Sequence, residues 1–225
     1  MEQKKIWDYF QNEGINSFSQ NQERMKFLVN RLVPHTRVLN IGVGNGVLER
    51  LALAKKIDIA CLDPSERAID SIRLSLGLGN KAQVGVSQSL PFSNQTFDVV
   101  IMSEVLEHLS NDVFEQSVRE CHRVLCDGGS FIGTVPADEA LSKNNVICPD
   151  CGKLFHRWGH VQGFSEERLQ SLLLAKFINC AVTRKHFASW KDLNWKGRIG
   201  YLLKSFAVSL GIKGGGESFF FIARK

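Results

Sequence analysis

The chain has 225 residues, enough for one large domain or one domain with an appendage, and its 44% hydrophobic and 23% charged content is that of an ordinary globular protein. The first residues lack the apolar core of an export signal and no apolar run approaches the length of a membrane span, so the expected location is cytoplasmic. The net charge of +5 is concentrated in residues 184–204, where Arg184, Lys185, Lys191, Lys196, Arg198 and Lys204 face one acid, Asp192. A near-neutral remainder argues against general affinity for nucleic acid and leaves one local basic patch.

Residues 1–34 read as a helical cover, with Ile6, Trp7, Phe10, Met25, Phe27, Leu28 and Leu32 at helical spacing and a break at Gly14–Ser17. Residues 35–225 then alternate strand and helix. Strands are expected at 38–41, 57–62, 82–86, 97–102, 130–136, 178–183 and 217–223, and helices at 46–55, 65–76, 112–125 and from Ser165. This rhythm predicts an α/β fold with a doubly wound, mostly parallel sheet of seven strands and right-handed crossovers.

The first strand runs into Gly42-Val43-Gly44-Asn45-Gly46 and a helix. A strand, three alternating glycines and a helix start suit a backbone that turns tightly, admits a ligand closely and presents N–H donors to it. The spacing is G-x-G-x-G, not the G-x-G-x-x-G of dinucleotide folds, and no Lys follows to reach a β- or γ-phosphate. Asp63 ends the second strand about twenty residues on, where a carboxylate accepts ribose hydroxyls.

VLNIGVGNG, Asp63-Pro64, SLPFSNQTFDVVIMSEVLEHL and ECHRVLCDGGSFIGTVP together make the chain resemble the class I S-adenosylmethionine-dependent methyltransferases of the type 11 subgroup, over roughly residues 35–180. The resemblance implies a Rossmann-like methyltransferase fold with an antiparallel last strand. It implies S-adenosylmethionine as cofactor, held by Asn40, Gly42, Gly44, Gly46, Asp63, Pro64, Val86, Ser87 and Ser103. It also implies N-terminal helices over the cofactor, with Trp7, Tyr9 or Phe18 in reach. Two positions depart from the family pattern. Asn40 stands where most relatives have a carboxylate, and Val86 where an acidic residue usually meets the adenine amino group, a task that passes to Ser87 or nearby backbone.

Two clusters compete for the chemistry. In Glu104-Val105-Leu106-Glu107-His108 the spacing puts Glu104 and Glu107, or His108, on one face of a helical turn. The segment reads as pocket wall, with His108 as candidate general base and Glu104 beside it. In related ubiquinone-pathway and small-RNA methyltransferases a similar E-x-x-E-H helps hold a divalent ion such as magnesium, and His160 would complete that set. The rival reading gives His160 to a zinc site. Cys148, Cys151, His156 and His160 follow C-x2-C-x4-H-x3-H within an insertion spanning 137–163, and Gly152 after the second cysteine resembles a zinc knuckle. The other cysteines, Cys61, Cys121, Cys126 and Cys180, read as small core residues.

Residues 190–212 place Ile199, Leu202, Leu203, Phe206 and Leu210 on one helical face beside Lys196, Arg198 and Lys204. That segment suits a lid, a helix packed on its own domain, or a peripheral membrane contact. Three functions follow: a methyltransferase for a small-molecule or lipid/saccharide-linked acceptor, an RNA 2′-O-methyltransferase using a metal, and a cofactor-binding protein without activity.

Overall fold

A computed structural model describes residues 22–187 and 215–225, with the isolated positions 6, 194, 195, 197 and 200. The elements in chain order are α1 (Gln22–Val29), β1 (Arg37–Ile41), α2 (Val47–Ala54), β2 (Asp58–Asp63), α3 (Glu66–Leu76), β3 (Ala82–Val84), β4 (Phe97–Ser103), α4 (Asn111–Val124), β5 (Leu125–Pro136), β6 (Asn145–Ile147), β7 (Leu154–His156), α5 (Glu166–Leu174), β8 (Asn179–Lys185) and β9 (Ser218–Arg224). The predicted helices in 4–21 and 190–212, with Trp7, Tyr9 and Phe18, lie outside the described residues.

The seven-stranded sheet has the order β3-β2-β1-β4-β5-β9-β8. Strands β3, β2, β1, β4 and β5 pair in parallel, and β9 runs antiparallel between β5 and β8. The predicted seven-stranded sheet with an antiparallel last strand is therefore present. The chain winds outward from β1 through β2 to β3, then crosses back to place β4 on the other side of β1. That reversal opens a crevice at the carboxyl ends of β1 and β4, where open α/β sheets bind ligands.

Alternation along the strands divides the core in two. Leu39, Ile41, Val100 and Phe131 face a layer with Phe114, Val118 and Cys121 of α4 and Leu169 and Leu173 of α5. Val38, Ile59, Cys61 and Ile101 face the other, with Leu28 of α1, Leu48 and Ala52 of α2, and Ile69 and Ile72 of α3. The central strand β4 buries Val100, Ile101 and Met102 completely, as a strand covered on both faces must.

Several expectations shift in detail. β3 ends at Val84, because Val86 and Ser89 form a bridge that turns the chain early. The strand expected at 130–136 begins earlier: the chain passes directly from α4 into β5, whose Leu125 pairs with Phe97 before the register slips and resumes at Ser130. Cys61, Cys121 and Cys180 are buried as expected, but Cys126 is partly exposed and receives a hydrogen bond from Arg37 Nη2 at 3.3 Å. Within 137–163 a small hairpin, β6–β7, is the added structure.

Candidate active site

Asp63 organises the cavity at the switch point. Burial of its carboxylate is offset by two backbone donors: Oδ2 accepts from the Val43 amide and Oδ1 from the Ser65 amide, both at 2.9 Å. One side chain thus ties the glycine loop to the start of α3, whose Ser65 hydroxyl in turn accepts from the Ala68 amide. The loop itself needs glycine at position 42. Gly42 has φ +89°, and a Cβ there would lie 2.6 Å from Val105 Cγ2.

Asn40, Gly42, Gly44, Asp63, Pro64, Val86, Ser87, Ser103, Glu104 and His108 all line this cavity. Gly46 does not. It takes φ +75° at the N-cap of α2, where a Cβ would meet Ile72 at 3.3 Å, so its role is in packing the helix start. Asn40 is 2% exposed and donates Nδ2 to Glu49 Oε1 at 2.6 Å. Sequence reasoning missed Glu49, which sits on α2 where its spacing reads as a helix position like any other. Burial pushes its carboxyl up to about 7.

At the end of the cavity beside β3, where sequence places the adenine, Val86 offers little: its side chain is exposed and its carbonyl accepts from the Ser89 amide at 3.2 Å. Ser87 is better placed. Its hydroxyl lies 2.7 Å from Ser117 Oγ, and Ser117 donates its own proton to the Val113 carbonyl. Ser87 is therefore the donor in that pair and keeps an oxygen lone pair for an amino group.

The far end of the cavity carries the titratable groups. Glu104 leaves β4 with φ +57° and its amide donates to the Thr134 carbonyl, so the expected helical turn from Glu104 is a break followed by a short 3-10 turn at Leu106–His108. Arg24 of α1 approaches Glu104 to 3.8 Å across the cavity. Glu107 is 1% exposed and neither carboxylate oxygen has a hydrogen-bond partner. Burial, then the neighbouring Glu104, push its carboxyl well above the usual range. Burial also pushes His108 down to about 3. Its imidazole is therefore neutral in ordinary buffers, and Nδ1 lies 3.3 Å from the Gly159 carbonyl.

His160 sits between two acids. Its Nδ1 lies 2.5 Å from Glu139 Oε2, and its ligand atoms approach those of both Glu107 with His108 and Glu139 with His156. The predicted four-ligand zinc set is not gathered. Cys148 and Cys151 lie at the tip of the β6–β7 hairpin, and among the described residues neither joins a cluster with the histidines. His156 Nδ1 accepts from the His160 amide at 3.1 Å, which places its proton on Nε2, 3.3 Å from Glu139 Oε1. The hairpin tip does form the knuckle-like turn: backbone hydrogen bonds from Cys151 and Asp150 to the Cys148 sulfur hold that thiol below its usual range.

The architecture is the Rossmann-like methyltransferase fold. Residues 39–133 match the family model described as a methyltransferase domain. Among relatives, the chain is 27% identical to a ubiquinone biosynthesis O-methyltransferase of Agrobacterium fabrum, covering 57% of this chain and 50% of that one. It is 32% identical to a sarcosine/dimethylglycine N-methyltransferase of Aphanothece halophytica, covering 51% and 43%. The chain thus spans about half the length of these relatives. The same fold occurs in a SAM-dependent methyltransferase of Archaeoglobus fulgidus (TM-score 0.65, 19% identity, 96% of this chain and 98% of that one). It occurs again in the complex between the Haloferax volcanii Trm112 methyltransferase activator and a methyltransferase (TM-score 0.68, 16% identity, 97% and 96%).

Proposed function

We propose that the chain is an S-adenosylmethionine-dependent methyltransferase acting on a small-molecule or lipid/saccharide-linked acceptor. The observation that carries this reading is Asp63, fixed by two backbone amides beside a glycine loop in which a Cβ at Gly42 would collide with Val105. The donor set fits the cofactor. Asp63 ends β2 in the cavity, where its carboxylate would accept ribose hydroxyls, Ser87 keeps a lone pair for the adenine amino group, and Asn40 and Gly44 border the methionine end. When bound, the cofactor supplies an electrophilic methyl on a positively charged sulfur. The chain's own work is then alignment of an acceptor with that methyl and exclusion of water.

His108 is a poor general base, since burial holds its imidazole far below neutrality. Its place against Glu107 and His160 supports a wall of the acceptor chamber instead. Arg184, foremost of the basic residues proposed for RNA, is engaged by Asp138 at 2.6 Å and Glu217 at 3.0 Å, which weakens the RNA reading. The test is transfer of a labelled methyl from S-adenosylmethionine to extracts fractionated into small molecules, lipid-linked glycans and RNA. Cofactor binding without transfer to any fraction would favour a non-catalytic binding protein.

A second reading has its own observation: the two unpaired, buried oxygens of Glu107 facing His108 and His160. A divalent cation there would supply the missing partner, with Glu104 adjacent, and would orient a hydroxyl acceptor. Magnesium or manganese at 100 times its dissociation constant should then stabilise the fold by about 2.7 kcal/mol. The shift should disappear in Glu107→Gln. No shift in the unmodified protein would remove the metal from the reading and leave methyl transfer intact.

A further inference from the structure

Glu49 is the buried acid that alignment of substrate and cofactor does not use. It lies on α2 with 0% exposure. Oε1 accepts from Asn40 Nδ2, and Oε2 has no partner. Nδ2 is also 3.4 Å from the Gly42 carbonyl, so both of its hydrogens are directed at protein acceptors. The remaining polar atom of the Asn40 amide is Oδ1, and Asn40 lines the cavity beside the glycine loop.

This arrangement depends on charge. An ionised Glu49 only accepts hydrogen bonds, so the amide must offer it Nδ2 and turn its carbonyl oxygen outward. A protonated Glu49 has one O–H to place. Its donation to Asn40 Oδ1 would require the amide to turn over and present N–H donors outward. Placed on Oε2 instead, that proton would be a buried donor without an acceptor, costly in itself. A cationic ligand beside Asn40 favours the first state, both by the acceptor it needs and by attraction for the carboxylate.

We propose that Glu49 and Asn40 form a proton-linked recognition element for the cationic end of the cofactor: Glu49 loses a proton to the buffer as the cofactor binds, and its charge fixes the Asn40 carbonyl toward the cavity. Glu49 is a positioning residue acting through Asn40. The pair supplies on demand the negative charge that a carboxylate at position 40 would supply permanently. The inference rests on the cofactor reading above.

The other groups acting on Glu49 are few. Asp63 of β2 raises its proton affinity and Arg50 of its own helix lowers it. Cys61 of β2 is near, with its thiol pushed up by burial and by Glu49 itself, and so stays neutral. Arg73 of α3 acts on Cys61, and Arg24 of α1 is turned to Glu104. A carboxyl near 7 in the free protein is half protonated at neutral pH, so the linkage is measurable there.

The test is calorimetric titration of S-adenosylmethionine into the full chain in buffers of different ionisation enthalpy. At pH 7 about half a proton should be released per cofactor bound, and affinity should be about tenfold weaker at pH 6 than at pH 8. Glu49→Gln should remove both effects, whereas titration of the cofactor's own groups would persist in it. Asn40→Asp/Glu49→Gln keeps a charge at the loop and guards against a folding defect in the single variant; it should bind with little pH dependence. Binding by the unmodified protein without proton release, or equal release in Glu49→Gln, overturns the inference alone. No binding at all overturns the cofactor reading, and this inference with it.

Discussion

Asp63 shows how one residue serves structure and chemistry together. Its two backbone hydrogen bonds are charge-assisted and buried, each worth about 1.5–3 kcal/mol. Asp63→Ala leaves the Val43 and Ser65 amides without this partner and removes the carboxylate proposed to accept the ribose hydroxyls. Cofactor affinity should fall about 100-fold, with a lower melting temperature, by calorimetry and thermal unfolding. Glu49 should govern stability in the opposite sense to most acids. Burial raises its folded value to about 7, so the unfolded chain gives up this proton first. Stability associated with Glu49 is full below about pH 4.5 and is lost as pH rises toward 7, by about 3 kcal/mol over that window. Denaturant unfolding of the cofactor-free protein at pH 5 and pH 7.5 should show this loss, and Glu49→Gln should flatten it. Asp63 was legible from its place at a strand end. Glu49 was not, because a glutamate in the first turn of a helix is ordinarily a solvated group that favours the dipole.

Among elements, the parallel strands were legible because each is a short apolar run bounded by turn residues, and β1 and β4 matched within a residue or two. The hairpin β6–β7 escaped notice, since three-residue strands with exposed Asn145, Ile147 and Leu154 carry no hydrophobic alternation. Its cysteines pointed to a closed zinc site, but spacing along the chain cannot show that the Glu139 carboxylate already engages His160. Zinc analysis of the unmodified protein and of Cys148→Ser/Cys151→Ser separates the two arrangements. With the histidines held by Glu139, the double variant should keep its cofactor affinity, whatever metal the hairpin tip carries. At the sheet centre, Gly133 permits the closest contact: a Cβ there would meet the Met102 carbonyl and Phe221 Cζ, the latter at 2.7 Å. The carbonyl belongs to β4 and cannot move without breaking the β4–β5 ladder. Gly133→Ala should cost about 4 kcal/mol or more in denaturant unfolding, beyond the range of ordinary substitutions.

For the whole molecule, the reversal of winding at β1 gathers the site. It brings the glycine loop, Asp63, Ser87 and the Glu104–His108 segment to one crevice from stretches of chain up to about sixty residues apart. The cofactor residues named from sequence, Gly46 excepted, line that crevice with Glu104 and His108, and the order of elements suffices to place them there. The meeting of His160 with Glu107 on one side and with Glu139 on the other depends on how the insertion folds back on the sheet, which no local pattern encodes. Among the described residues no helix is long and apolar enough to cross a membrane. The central claim is that this crevice holds S-adenosylmethionine, and the most direct measurement is equilibrium dialysis of the labelled cofactor against the unmodified protein and Asp63→Ala. One equivalent bound by the former and a loss of about 100-fold in the latter is the expected result. No binding by the unmodified protein, or equal binding by both, would contradict it.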